Sequence, residues 1–320
     1  GGEPLIRPDF WTIVDSLMAH EIRIDKIYTN GWLLDDTVLD QFDARGIRPE
    51  FSLSFDGVGW HDWMRGVKGA EEAALAALER CRKRGFLTDV EMCLHRGNRT
   101  TIAETVEKLA SLGVGSLKIG IVEETDLWKH HCEDKVYSFR EYLEDCLQYI
   151  PTFFEQKMPM NLILGAVIVL KQGSTEYKIV PENYDGCGNC LDQPLCGSAR
   201  LNCYISPELR LVPCMPMLSS PDQSWFPKIG EIGLKKGLSD SNYMEFISRK
   251  VGELFAVNEK CNACAHKLYC GGGCRATAFL EGEKHLMGCD ENQCILWNEG
   301  YVDRIRRTVE ASVTGKVSWQ

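Results

Sequence analysis

The sequence predicts an α/β fold: a parallel sheet with helical crossovers, open or curled into a barrel, followed by a second, loop-rich region. Three observations predict it. Helix-type and strand-type hydrophobic periods alternate from the start to about residue 170. That alternation then stops, and eleven of the 15 cysteines fall between Cys187 and Cys294 in chain punctuated by Gly and Pro. The division is drawn at 1–175 and 176–320, where the composition shifts.

Each element has its own signal. PDFWTIVDSLMAH places Pro8 at a helix start and Phe10, Ile13, Val14, Leu17 and Met18 on one stripe. The strand DKIYT follows and ends at Asn30-Gly31. The helical DDTVLDQFDARG leads into the strand EFSLSFDG. GAEEAALAALERCRKRG repeats Leu75, Leu78 and Cys81 on a helical face and stops at Gly85. After the strand FLTDVEMCL, Thr101 and Glu104 form a capping-box pattern, Ile102, Val106 and Leu109 a stripe, and Gly113 the stop. SLKIGIV alternates at Leu117, Ile119 and Ile121. A longer helix opens on a second box, Ser138 to Glu141, and runs through FREYLEDCLQYI.

Bulk properties exclude several functions. GGEPLIRPDF lacks the basic start and apolar run of a signal peptide. The longest apolar run, Leu162 to Leu170, is about half a membrane span. A cytoplasmic protein is expected. A net charge of -10 without a sustained Lys/Arg run argues against a nucleic-acid groove.

In a reducing compartment clustered cysteines point to metal or catalysis rather than disulfides. Cys261, Cys264, Cys270 and Cys274 have the spacing x2, x5, x3. Cys187, Cys190 and Cys196 repeat x2, x5, with Cys203 and Cys214 beyond, and Cys289 and Cys294 lie downstream. Zinc and iron-sulfur clusters use the same thiolates, and spacing alone does not separate them. Cys81, Cys146 and Cys93 read as small core residues. Cys132, beside His130 and His131, reads as part of a solvated loop.

In a parallel α/β architecture chemistry sits at the C-terminal strand ends. Those positions carry Asn30 and Gly31, then Ser54, Asp56 and Gly57, then His95 to Asn98, then Glu123 and Glu124. Repeated at equivalent places, they make a polar rim suited to a ligand.

The opening Gly1-Gly2-Glu3-Pro4 runs into a helix, then a strand ending in TNG, then SLSFDG followed by HDWMRG. In that order these segments resemble the radical S-adenosylmethionine (SAM) enzymes, whose GGEP motif they match. Cys261 to Cys274 resembles the cluster-binding core of the SPASM extension, appended to such barrels in peptide-modifying members. Together the two motif sets cover nearly the whole chain. The resemblance implies a partial (β/α)6 TIM-like radical SAM barrel followed by a SPASM domain. It also implies that Gly1, Gly2, Glu3 and Pro4 hold the amino group of SAM's methionine moiety, a reasonable task for open backbone and a carboxylate. Ser54 resembles the residue near the SAM ribose and Arg65 the arginine that pairs with its carboxylate. Asn30 and Asn98 are further candidates. Similarity to the sulfatase maturases assigns one auxiliary [4Fe-4S] cluster to Cys190, Cys196, Cys214 and Cys274, and a second to Cys261, Cys264, Cys270 and Cys294. Cys187 or Cys289 is available to replace a neighbour.

Three departures qualify the resemblance. The family's Cys-x3-Cys-x2-Cys, holding the catalytic cluster, precedes GGEP there and is found nowhere in this sequence; Cys270-x3-Cys274 is followed by Thr277. The expectation is therefore a chain lacking the first strand, first helix and second strand of the barrel, with a third cluster in the absent segment, and unable by itself to cleave SAM. Met215 stands where sulfatase maturases place a catalytic aspartate, which disfavours formylglycine formation. Leu209 stands where many relatives have glycine, which weakens the turn expected before Cys214. The implied activity is hydrogen abstraction from a precursor peptide or protein, ending in a thioether or carbon-carbon cross-link, with a flavodoxin- or ferredoxin-type electron donor. Two alternatives stand beside it: a zinc-stabilised binding module, and a radical SAM enzyme acting in cofactor maturation or on a small molecule.

Overall fold

Alternating burial along the strands shows how the first half of the chain is built. The computed structural model describes residues 2–122, 132, 135, 137–219, 224–280 and 285–315. Strands β1 (Lys26–Thr29), β2 (Glu50–Ser54), β3 (Thr88–Leu94), β4 (Ser116–Ile121) and β5 (Asn161–Leu164) lie side by side in that order, each parallel to the next. After α1 (Phe10–Ala19), helices α2 (Asp36–Ala44), α3 (His61–Arg65), α4 (Ala70–Arg84), α5 (Ile102–Ser111) and α6 (Phe139–Glu155) lie in the connections. This is the α/β fold class that the periodicity predicts.

One face of the sheet is buried through Phe51, Leu53, Val90, Met92, Leu117 and Ile119, and the helices bury Phe42, Leu78, Cys81, Val106 and Cys146. The Phe42 and Phe51 rings meet edge to face at 5.4 Å. The alternate strand positions are polar. Lys26 pairs with Glu50 at 2.9 Å and Asp89 at 2.8 Å, and Lys118 with Glu91 at 2.8 Å. Register sets Ser54 opposite Glu91 and Glu91 opposite Lys118. An apolar helix-covered face and a polar face thus lead to the same strand ends.

The two expected capping boxes part ways. Ser138 accepts from the Glu141 N–H while Glu141 accepts from the Ser138 N–H, so α6 has its box. Thr101 does not cap α5; a 3-10 turn, Arg99–Thr101, precedes the helix and the Thr101 hydroxyl donates to Asn98 O at 2.9 Å. The apolar run Leu162 to Leu170 folds as an antiparallel pair, β5 with β6 (Ile168–Leu170), and β7 (Tyr177–Ile179) extends the sheet. Among the described residues no helix is long and apolar enough to cross a membrane.

The chain divides into two compact units, Gly1–Val180 with Arg304–Gln320, and Pro181–Asp303. The C-terminal stretch counts with the first unit, where Arg304 pairs with Glu144 at 2.6 Å. The second unit has a short hairpin, β8 (Tyr204–Ile205) with β9 (Leu211–Val212), and short helices around three small apolar clusters.

Candidate active site and cysteine centre

Glu3 fastens the opening GGEP segment to the end of β1. Its Oε1 accepts from Leu5 N–H at 3.2 Å and from the Thr29 hydroxyl at 2.9 Å, and Oε2 accepts from Asn30 N–H at 2.8 Å. A carboxylate offers roughly four acceptor directions, so a further donor can still be taken. Gly2 is exposed, and a Cβ built there meets nothing within 4 Å, so its backbone is open to a ligand. Pro4 opens a 3-10 turn, Pro4–Ile6, where its missing N–H costs nothing. Gly1 lies outside the described residues. Asn30 is exposed and its Oδ1 accepts from Trp32 N–H at 2.9 Å, which closes the TNG turn. Gly31 completes that turn at φ 80°, where a Cβ would stand 3.0 Å from Leu53.

A fully buried carboxylate organises the next two strand ends. Asp56 accepts from Cys93 N–H at 3.0 Å through Oδ1 and from Arg65 Nη2 at 2.8 Å through Oδ2. Arg65 therefore reaches the strand ends with one nitrogen already held and 34% of its side chain exposed. His61 Nδ1 lies 3.0 Å from the Asp56 backbone N–H and 3.2 Å from Asp56 Oδ2, so the ring is held against the same residue by two contacts. The ring's Nε2 is buried and has no hydrogen-bond partner among the described residues. Asp62, next in HDWMRG, turns the other way and accepts from Gly69 and Glu71 N–H at 2.7 Å each. Those backbone donors, Glu71 first, hold its carboxyl below the usual range. Within HDWMRG the sequence singles out only Arg65 for a role; the signal for His61 and Asp62 is a polar pair just after a strand end.

Asn98 is buried and its amide donates to Asp56 O at 2.8 Å and Cys93 O at 2.9 Å, while Oδ1 accepts from His95 N–H at 2.8 Å. It acts as a bracket between the ends of β2 and β3 rather than as an open donor. His95 is fully buried against Trp60 and Trp63, and burial lowers its pKa to about 4. Ser54 closes β2 half-buried, two residues before Asp56. The structure thus brings Glu3 and Asn30 into one clamp and Asp56, Arg65 and Asn98 into another, both at C-terminal strand ends. Glu123, Glu124, His130 and His131 lie outside the described residues.

In the second unit, Cys261, Cys264, Cys270 and Cys294 line one cavity of about 60 Å³. These are the four cysteines assigned to one cluster by the resemblance. Burial pushes the thiols of Cys270 and Cys294 up to about 12 and about 11, and raises Cys261 as well, with Cys289 adding to the effect. The buried Cys289 sulfur stands 3.6 Å from that of Cys261, within reach as a replacement ligand. Among the described residues no three His, Cys, Asp or Glu side chains converge closely enough for a single ion. Four thiols around one cavity are a donor set that zinc and an iron-sulfur cluster share.

The glycine run between Cys270 and Cys274 was not read from the sequence, and it is a steric requirement. Gly271, Gly272 and Gly273 take φ of 63°, 89° and 76°. A Cβ at Gly272 would run into Leu254, and one at Gly273 would stand 2.6 Å from Asp290 Oδ2. That oxygen accepts from Cys274 N–H at 2.6 Å, so the loop is pinned on leaving the cavity. For the other set the link is pairwise. Cys190 is buried, Cys196 is half-buried and its thiol is raised first by burial and also by Cys274, and Tyr243 lies within electrostatic reach of both Cys196 and Cys214. Cys187 and Cys203 are exposed.

Residues 1–109 match the family described as the Radical SAM superfamily. Over 310 residues the chain is 25% identical to the AdoMet-dependent heme synthase of Methanosarcina barkeri, spanning 92% of this chain and 80% of that protein. Over 316 residues it is 24% identical to the PqqA peptide cyclase of Gluconobacter oxydans, spanning 97% and 79%. The crystal structure of Streptococcus suis SuiB bound to S-adenosylmethionine shares the fold, with a TM-score of 0.63 at 16% identity, over 92% of this chain and 64% of that one.

Proposed function

Because this chain carries a radical SAM domain over residues 1–109, we propose that it serves an enzyme that modifies a ribosomally made peptide or a protein by hydrogen-atom abstraction. The observation that carries the reading is the cavity lined by Cys261, Cys264, Cys270 and Cys294 in the same chain. The similarity to a peptide cyclase supports the substrate class. When bound, SAM would supply a 5'-deoxyadenosyl radical, its cleavage releasing methionine and taking one electron that a flavodoxin- or ferredoxin-type donor would pass through a [4Fe-4S] cluster.

The chain's own residues bind and orient. Glu3, fixed by three donors, presents its remaining acceptor direction to an ammonium. Arg65, held by buried Asp56, presents the rest of its fork to a carboxylate. Ser54 would lie near the ribose, and Asn98 keeps the ends of β2 and β3 at fixed spacing. The two cysteine sets would hold two auxiliary [4Fe-4S] clusters, which would supply an electron acceptor or a substrate-binding iron in a reducing cytoplasm. A thioether or carbon-carbon cross-link is the product.

A second reading has its own observation. The heme synthase match covers 92% of this chain, which favours a tetrapyrrole or another small molecule on the same scaffold.

Iron, zinc and acid-labile sulfide per chain, measured on protein reconstituted without oxygen, test the cluster basis of both readings. About eight iron and eight sulfide are expected, falling by about four of each in the Cys264→Ser, Cys270→Ser double variant. About two zinc with no sulfide would leave only a zinc-stabilised binding module. Titration with an iron porphyrin separates the substrates: a saturable shift of its absorption band selects the tetrapyrrole reading over the peptide.

A further inference from the structure

Arg275 follows Cys274 and is 1% exposed. Its guanidinium is spent on backbone carbonyls: Nη1 donates to Leu286 O at 3.0 Å and Gly288 O at 2.9 Å, Nη2 donates to Gly272 O, and Nε lies 3.4 Å from Gly273 O. Among the described residues no carboxylate forms an ion pair with it. The buried Asp290, which accepts from Cys274 N–H and Gln293 N–H, lies within its electrostatic reach. Carbonyl dipoles solvate a guanidinium without neutralising it, so its charge acts on whatever the surrounding loops carry.

The carbonyls it holds show where that charge acts. Gly272 and Gly273 lie between Cys270 and Cys274, and Gly288 precedes Cys289. Arg275 thus ties together two loops that both carry cysteines. Cys270 and Cys274, on either side of the glycine run that it holds, belong to different ligand sets. Four thiolates around a four-iron cluster leave a net negative charge, which grows by one when the cluster is reduced.

We propose that Arg275 is a positioning residue shared by both auxiliary clusters, a fixed buried cation that holds their loops together and favours the reduced state of each. The proposal rests on the cluster reading of the cysteines. A positive charge in a low-dielectric interior stabilises the more negative redox state, so it raises the reduction potential.

The test is an EPR-monitored redox titration of the anaerobically reconstituted chain, comparing wild type, Arg275→Lys and Arg275→Met. With Arg275→Met, both clusters are expected to titrate at more negative potentials. With Arg275→Lys, the potentials stay at the wild-type values while iron content falls, because charge is kept and the fork is lost. A loaded Arg275→Met protein titrating as wild type would overturn the proposal, and so would a shift confined to one cluster. If Arg275→Met does not hold its clusters, the lysine variant decides: wild-type potentials support the proposal and a negative shift overturns it. Wild-type protein without iron or sulfide overturns the cluster reading itself, a failure seen before any variant is compared.

Discussion

Leu209 stands in the left-handed region at φ 61°, where a branched side chain is disfavoured. The turn it occupies forms all the same. Leu209 N–H donates to Ser206 O at 2.9 Å, Ser206 N–H to Arg210 O at 2.9 Å, and Ile229 N–H to Leu209 O at 2.7 Å. Three backbone hydrogen bonds and the β8–β9 pairing outweigh a local cost of about 1–2 kcal/mol. The expectation of a weakened turn before Cys214 is therefore corrected: the turn is kept, and the strain is kept with it. Since Leu209 is 50% exposed, little packing is lost by removing its side chain. Leu209→Gly should raise stability by about 0.5–1 kcal/mol, the relieved strain being partly offset by the freer unfolded chain. Urea unfolding followed by fluorescence checks this, and an unchanged or lower midpoint would count against strain at this position.

The strands and their helices were legible because burial on one face imposes periods of 2.0 and 3.6 on the sequence. The connections between them were less so. Ser138 and Thr101 carry the same capping pattern, yet only Ser138 caps its helix, because Asn98 draws the Thr101 hydroxyl into the turn after β3. The role of Asn98 was equally hidden: the sequence places it on a rim, and only three-dimensional proximity shows its amide spanning Asp56 and Cys93. The same junction makes the β3–α5 connection acid-sensitive. His95 stays neutral in the folded chain down to about pH 4, against an ordinary value of 6.5, because burial outweighs the opposing pull of Asp56. Between those values the unfolded chain binds a proton that the folded chain does not, so stability falls as pH drops from 6.5 towards 4. The loss approaches about 2–3 kcal/mol at the lower end. His95→Asn keeps an acceptor for the Gly97 N–H, which donates to His95 Nδ1 at 3.0 Å, and cannot titrate. Denaturant midpoints measured from pH 7 to 4 should fall less steeply for this variant; equal slopes would rule out His95 as the source.

The two compact units rest on different physical foundations. The first has a continuous apolar layer between sheet and helices, so its fold follows from periodicity. The second has three small clusters, and each has one of the eight assigned cysteines packed at its margin: Cys196 on the Tyr243 and Phe246 cluster, Cys261 on the Val251 and Leu254 cluster, Cys214 on the Val212 and Met217 cluster. The sequence made the cysteines conspicuous, because thiols at those spacings have few other uses. It did not show which apolar cluster each one joins, since that depends on short helices with little periodic signal. Small cores of this kind gain most of their stability from whatever bridges them. Removing bound metal should therefore act on one unit far more than on the other. Hydrogen exchange of the reconstituted chain before and after anaerobic chelation is the measurement. Protection is expected to collapse across residues 181–303, first around 258–274 and 286–296, while the amides of β2, β3 and β4 keep theirs. A loss spread evenly over both units, or none in either, would mean that the cysteines do not hold the second unit together through metal.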